Sequence, residues 1–138
     1  MPNPSLTLTR SLAAYGVALV VMSVLDAAWL GWLAKDFYQR ELGTLMTDSV
    51  RWLPAALYYL LYPAAIVFLA LTPAPASLRI AALRSAALGL TAFGVYDLTN
   101  LATLRGYTVT MTVVDMLWGT FATMLGGSAA YRFVIARR

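Results

Sequence analysis

The stretch "FGVYDLTNLATLRGY", residues 93–107, continues an apolar run but carries Asp97 and, three positions later, Asn100. The surrounding run, residues 80–104, satisfies the requirement of about 20 mostly apolar residues for a helix that crosses a hydrocarbon core of about 30 Å. An aspartate at the centre of such a helix costs about 2.5–3.5 kcal/mol when it faces lipid. The stretch therefore predicts a membrane-spanning helix whose polar side chains point into the protein.

The composition of the whole chain is that of a membrane protein. Of its 138 residues, 61% are hydrophobic and 12% are charged, against about 45–50% and 25% in soluble domains. The chain has no cysteine and no histidine, which excludes disulfides, imidazole metal sites and catalytic triads built on these side chains. The net charge of +4 comes from scattered arginines. Because these do not form a basic cluster, we expect no nucleic-acid partner.

Four stretches of the chain are long and apolar enough to span a bilayer. We therefore predict an all-α membrane protein, a single four-transmembrane-helix bundle over residues 1–138. The predicted spans are residues 11–34, 52–72, 80–104 and 108–134.

The segment between the first two spans, residues 35–51, is polar. We predict an external loop there, within which a short interfacial helix could form. Several aromatic residues fall at the predicted ends of spans, where an aromatic belt holds helices at the membrane interface. These residues are Trp32, Tyr38, Trp52 and Tyr107.

The distribution of basic residues predicts the orientation. With four spans, both termini lie on the same side, together with six arginines, while four basic residues lie on the other side. The first group is Arg10, Arg79, Arg84, Arg132, Arg137 and Arg138, and the second is Lys35, Arg40, Arg51 and Arg105. Because cytoplasmic loops carry the excess of basic residues, we expect both termini in the cytoplasm.

Three aspartates, Asp26, Asp97 and Asp115, lie inside predicted spans. At a rise of 1.5 Å per residue, each lies about 10–12 Å inside the external end of its helix. Carboxylates at a shared depth avoid lipid by facing one another, a wet cavity or polar partners. We therefore expect the three to meet in the outward half of the bundle.

Each aspartate is followed three positions later by a polar or aromatic side chain on the same helix face. Trp29 and Trp118 can each donate an indole N–H to a carboxylate, and Asn100 could bridge two acids or meet a ligand. The second span adds Tyr58 and Tyr62, one helical turn apart. The candidate ligand-binding or proton-exchanging residues are Asp26, Asp97, Asp115, Asn100, Trp29, Trp118, Tyr58 and Tyr62.

Three carboxylates and an amide could in principle hold a hard cation such as Mg²⁺. The chain nevertheless offers no tightly spaced group of metal ligands, so we expect no metal and no cofactor. The same lack of catalytic groups makes an enzyme the less favoured interpretation.

Two further patterns concern the packing of the helices. Small residues at Gly89 and Gly94, and then at Gly119, Thr123 and Gly127, are typical of helices that approach closely in membranes. In addition, "VLDAAWLGWL" (24–33) aligns with "VYDLTNLATL" (95–104) at four positions, including the aspartate. This alignment supports the hypothesis of two parallel helix-pair repeats.

Four segments of the chain together resemble a bacterial membrane-protein family, domain of unknown function 2177: "VLDAAWLGWLAKDFYQREL", "LPAALYYLLYPA", "GVYDLTNLATLRGY" and "TVVDMLWGT". The resemblance covers roughly residues 11–127. It implies a small integral protein of the bacterial inner membrane with about four helices, and it implies no reaction. The family's motif segments contain Asp26, Trp29, Asp97, Asn100, Asp115 and Trp118.

The sequence leaves three interpretations of function open, of which we favour the first and then the second. The first is a helix bundle in the lipid bilayer that binds a small hydrophobic or amphipathic ligand, such as a lipid, in a pocket of carboxylates and aromatic rings. The second is a proton-coupled transporter acting as a homodimer, since buried carboxylates can exchange protons. The third is an accessory subunit whose polar residues only hold helices together.

Overall fold

The computed structural model describes residues 5–137, and all regular secondary structure in that range is helical. Three of the four long helices end in a π-helical turn, in which the backbone bonds skip one more residue than in an α-helix. The elements are α1 (Leu8–Ala28, with the π-turn Trp29–Leu33), α2 (Lys35–Leu42), α3 (Trp52–Ala65, with the π-turn Ile66–Ala70), α4 (Leu78–Thr103) and α5 (Val109–Ala130, with the π-turn Tyr131–Ile135). Arg138, one of the arginines counted for orientation, lies outside the described residues.

Four helices are long and apolar enough to cross a membrane, which confirms the predicted all-α four-helix bundle. Their bounds are Leu8–Leu33, Trp52–Ala70, Leu78–Thr103 and Val109–Ile135. Each predicted span ends within three residues of these bounds. The predicted loop 35–51 contains α2 and a short 3₁₀ turn, Gly43–Leu45.

Hydroxyl side chains define where three of the helices begin. Thr7, Ser77 and Thr108 stand immediately before α1, α4 and α5, and each accepts a hydrogen bond from a backbone N–H of the first turn. Such N-caps satisfy donors that the helix itself leaves free. Between α4 and α5 the chain reverses at Gly106, whose φ of 78° lies in the region that favours glycine.

The bundle has two distinct ends. At the end we call the terminal end, the guanidinium of Arg10 donates to the carbonyl oxygens of Val134, Ile135 and Arg137 at 2.6–3.1 Å. This ties the start of α1 to the end of α5, where a positive charge also complements the helix dipole. The opposite end, which we call the loop end, holds residues 34–51 and the turn at residues 104–108.

Helix α5 occupies the centre of the bundle. It packs most extensively on α4 and also on α1, while α3 packs on α1 and joins α4 and α5 mainly through the π-turn Ile66–Ala70. The α1–α3 contact is therefore much smaller than the α4–α5 contact. The hypothesis of two helix-pair repeats stays a prediction.

Helices α4 and α5 meet along a line of small buried residues, which we call the helix seam: Ser85, Gly89, Gly119, Thr123 and Gly127. A Cβ atom placed on Gly89 would lie 2.6 Å from the carbonyl oxygen of Gly119 and 2.7 Å from Thr123 Oγ1. At these distances the backbones must separate to admit a methyl group. Together with an apolar cluster around Met22, Ile66 and Leu71, the seam fills the terminal half of the bundle.

A carboxylate-lined cavity as the candidate functional site

The loop-end half of the bundle contains a cavity with a volume of about 590 Å³. Helices α1, α3, α4 and α5 form its walls, and α2 lies across its end. Two carboxylates, Asp26 and Asp115, contribute to the lining, together with four aliphatic or thioether side chains and six aromatic ones. The aromatic residues are Tyr38, Tyr58, Tyr62, Phe93, Tyr96 and Trp118.

The three intramembrane aspartates lie at one level and are buried, with exposed fractions of 4% for Asp26, 0% for Asp97 and 8% for Asp115. They lie six or seven residues from the loop-end bounds of their helices, a depth of about 9–10 Å. The carboxyl groups of Asp97 and Asp115 are within hydrogen-bonding reach of each other. Asp26 and Asp115 both line the cavity, whereas Asp97 is fully buried and is absent from the lining. The structure thus brings together the three side chains that the sequence analysis singled out.

Asp26 receives its hydrogen bonds from two different helices. The indole Nε1 of Trp118, on α5, donates to Asp26 Oδ1 at 3.1 Å. The phenol of Tyr58, on α3, donates to Asp26 Oδ2 at 3.5 Å, the upper limit for such a bond. Asp26 therefore joins α1, α3 and α5 at the wall of the cavity.

Asp115 is held from the loop end by Tyr38. The Tyr38 hydroxyl donates to Asp115 Oδ1 at 2.5 Å and accepts from Trp29 Nε1 at 3.0 Å. Trp29 and Trp118 also stack face to face, with ring centroids 4.4 Å apart and an interplanar angle of 5°. Each indole therefore serves the aspartate of the other helix. Trp118, which follows Asp115 in sequence, serves Asp26, and Trp29, which follows Asp26, serves Asp115 through Tyr38.

Asp97 has a single donor among the described residues. The Tyr107 hydroxyl donates to Asp97 Oδ1 at 2.5 Å, whereas the fully buried Asp97 Oδ2 has no hydrogen-bond donor in the described part of the chain. A buried carboxylate oxygen without a donor is unfavourable. The carboxyl group of Asp115 lies beside this oxygen.

The other predicted site residues occupy different places. Tyr62 lines the cavity, and its hydroxyl lies 2.7 Å from Thr123 Oγ1. Because Thr123 already donates to the Gly119 carbonyl at 2.6 Å, Tyr62 is the donor in this pair. Asn100 lies beside Tyr96 and Tyr107 and is absent from the cavity lining.

Two tyrosines lie elsewhere than expected from the sequence. Tyr38 and Tyr107 were expected in an interfacial aromatic belt, but both side chains are buried and donate to aspartates. The other two belt residues, Trp32 and Trp52, are exposed. The sequence carried one signal for the tyrosines: a buried acid needs a donor, and a phenol at the end of a nearby helix or turn can supply it.

The two tyrosines remain donors over a wide pH range. Burial, followed by the hydrogen bond to Asp115, raises the pKa of the Tyr38 phenol above its ordinary value of 10.0. Burial and the hydrogen bond to Asp97 raise the pKa of Tyr107 in the same way. Both phenols therefore stay protonated and continue to donate hydrogen bonds to the carboxylates.

None of the three aspartates has a basic partner within residues 5–137. The one ion pair in this range joins Arg40 and Glu41 at 3.9 Å, and Glu41 also accepts from Thr108 at 2.6 Å, which fastens α2 to the start of α5. The described residues include no group of three or more acidic side chains placed to hold a metal ion. The cavity is thus an aromatic space with two acidic side chains and no basic side chain in its lining.

Comparison with known proteins places the chain in a family. Residues 11–132 match the family described as predicted membrane protein DUF2177. The chain belongs to this family. The match covers α3 and α4 completely, all but the first residues of α1 and the last residues of the π-turn after α5, and every residue of the cavity lining, so the site is built within the part that defines the DUF2177 family. No curated protein sequence and no solved structure matches the chain.

Proposed function

We propose that this membrane protein binds a small or amphipathic ligand, such as a lipid, in the cavity of its loop-end half. The cavity itself supports this proposal: its volume of about 590 Å³ falls within the range of about 300–1,000 Å³ typical of ligand sites. Its lining also has the usual character of such sites, with many apolar and aromatic side chains and few polar groups. Asp26, Asp115 and Tyr58 would fix the orientation of the ligand.

The position of α3 supports entry of the ligand from the membrane. Tyr96 and Leu30 line the cavity and are 57% and 45% exposed, so the cavity reaches the lipid-facing surface of the bundle. The backbone of α3 packs on α1 and stays apart from that of α4, which α3 meets through the Tyr62–Phe93 ring contact and the π-turn Ile66–Ala70. The gap between α3 and α4 would admit the apolar part of an amphiphile directly from the bilayer.

For the orientation we propose a multi-pass protein of the bacterial inner membrane with both termini in the cytoplasm. The basic residues support this assignment, since the described arginines Arg10, Arg79, Arg84, Arg132 and Arg137 belong to the terminal end, and cytoplasmic ends carry the excess of positive charge. The cavity then opens in the outward half of the bilayer.

Proton-coupled transport by a homodimer stays an alternative prediction. The unpartnered Asp97 Oδ2 beside Asp115 is a feature that a proton-exchanging site would use. We prefer binding because the helix seam and the apolar cluster around Met22, Ile66 and Leu71 close the terminal half. A ligand in the cavity would need a large rearrangement to pass through.

Tryptophan fluorescence can test the binding proposal. The chain has four tryptophans, and replacing the exposed Trp32 and Trp52 by phenylalanine leaves Trp118, which lines the cavity, and Trp29, which stacks on it. We would titrate this variant in neutral detergent with bromodecanol and with bromodecylammonium, whose bromine quenches indoles on contact. We expect saturable quenching by at least one of the two amphiphiles.

A pair of variants on α4 provides the control. Ala92 lines the cavity, so Ala92→Phe should fill part of it and weaken binding by on the order of tenfold, or about 1.4 kcal/mol. Ala87 is exposed on the same helix, and Ala87→Phe should leave binding unchanged. Quenching that rises without saturation, equally in all variants, would mean that the amphiphiles only partition into the micelle, and the proposal would be wrong.

A further inference from the structure

We infer that the ligand of this cavity carries an organic ammonium group on an apolar chain. This inference rests on the proposed function and specifies the chemical class of the ligand. It depends on three observations: carboxylates without a cationic partner, aromatic rings around the same space, and the absence of basic side chains from the lining.

The first observation is the missing counter-charge. Asp26 and Asp115 line the cavity, and both are more than nine-tenths buried. Their donors in the described residues are the neutral groups Trp118, Tyr58 and Tyr38, and the other neighbour of Asp115, Asp97, is itself an acid. A buried carboxylate is stabilised chiefly by a cation held close to it. A cationic ligand would supply one.

The second observation is the arrangement of the rings. Tyr58 and Tyr62 stack with centroids 5.5 Å apart, and Phe93 meets Tyr62 edge to face at 6.1 Å. Trp118 closes the same space on the α5 side. Aromatic faces attract cations through the quadrupole of the ring, and sites for quaternary ammonium groups are commonly built from several such rings. Rings beside carboxylates therefore favour an ammonium group.

The third observation argues against a phosphate headgroup. The residues that line the cavity include no lysine and no arginine, and Lys35, Arg40 and Arg105 at the loop end are exposed. A phosphate in the cavity would face Asp26 and Asp115 without compensation, and like charges at short distance in a poorly solvated site repel strongly. The ligand is thus a simple cationic amphiphile, not a phospholipid that carries the same ammonium group.

Calorimetric titration of the unaltered protein in neutral maltoside micelles tests the inference. The probes share one alkyl chain and differ in charge: octyltrimethylammonium, octyl glucoside and octyl sulfate. Dioctanoyl phosphatidylcholine adds a phosphate to the same trimethylammonium group. We expect octyltrimethylammonium to bind on the order of tenfold more tightly than octyl glucoside, and neither phosphatidylcholine nor octyl sulfate to bind saturably.

Aspartate variants then test which carboxylates cause the preference for the charged probe. Asp26→Asn and Asp115→Asn should each reduce the preference for octyltrimethylammonium over octyl glucoside, whereas Asp48→Asn, at an exposed loop position, should not. Equal affinity for octyl glucoside and octyltrimethylammonium in the unaltered protein would overturn the inference and leave the proposed function intact. Tight binding of phosphatidylcholine would also overturn it, in favour of a lipid headgroup. If no probe binds saturably in either the calorimetric or the fluorescence titration, the inference and the proposed function both fail.

Discussion

The two halves of this bundle bury polar atoms in different ways. In the terminal half, small residues let α4 and α5 approach until a methyl group on Gly89 would meet the Gly119 carbonyl. The polar atoms there belong mainly to the backbone and to single hydroxyls such as that of Thr123. In the loop-end half, α3 and α4 stay apart and leave a cavity of about 590 Å³, which is surrounded by carboxylates, phenols and indoles.

This contrast shows how one helix bundle can combine a closely packed half with a half that contains a cavity. The small residues of the helix seam leave no space for a methyl group, because the backbones of α4 and α5 are in van der Waals contact there. Aspartates cannot be packed in this way, since each carboxylate oxygen needs a donor. In the loop-end half these donors come from other helices, and the cavity lies between the helices that they join.

The largest expected effect concerns the helix seam. Gly89→Ala should lower the free energy of unfolding by about 3 kcal/mol or abolish folding, because the added methyl group meets the backbone of α5 and the helices must separate. Thermal unfolding of the detergent-solubilised protein would measure this. Gly16→Ala is the matched control on α1, since a Cβ there meets nothing within 4 Å. Equal melting temperatures for the two variants would contradict the description of a closely packed seam.

A smaller effect is expected at the buried phenol of the loop-end half. Tyr107→Phe removes the donor to Asp97 Oδ1, the one phenol or N–H donor that this carboxyl group has within residues 5–137. We expect a loss of about 1–3 kcal/mol of stability, measured by the same unfolding assay.

The inner tyrosine of the terminal half serves as the comparison for Tyr107. Tyr131 is half-buried, and its hydroxyl makes no hydrogen bond to residues 5–137, so Tyr131→Phe should change stability by less than about 0.5 kcal/mol. A Tyr107→Phe protein as stable as Tyr131→Phe would show that the phenol–carboxylate contact contributes nothing to the fold.

The smallest expected effect is a decrease in stability at alkaline pH that depends on Tyr38 at the loop end. The pKa of Tyr38 is raised in the folded protein, so the unfolded chain loses this proton first, near the ordinary tyrosine pKa of about 10. Stability should therefore be constant below about pH 10 and decrease above it. Melting temperatures measured from pH 8 to pH 11 should decrease less in Tyr38→Phe than in the unaltered protein. Parallel curves for the two proteins would rule out this role of Tyr38.

The fold and the depth of the aspartates followed from the sequence because both depend on local properties. Length and apolar composition decide whether a helix spans the bilayer, and the bounds of all four spans were predicted within three residues. The regular rise of a helix then fixes the depth of Asp26, Asp97 and Asp115. The high cost of a carboxylate in lipid indicated that these side chains point inward.

The identity of the donors and the existence of the cavity were decided by the tertiary structure. Nothing in the local sequence indicates that Trp118 serves Asp26, that Trp29 acts through Tyr38, or that Tyr107 folds back onto Asp97. These contacts join residues from different helices and turns, and they depend on how α2 and the Gly106 turn close the loop end. A sequence can show that a buried charge needs a partner, but only the packing of distant segments determines which side chain reaches it and how much space is left beside it.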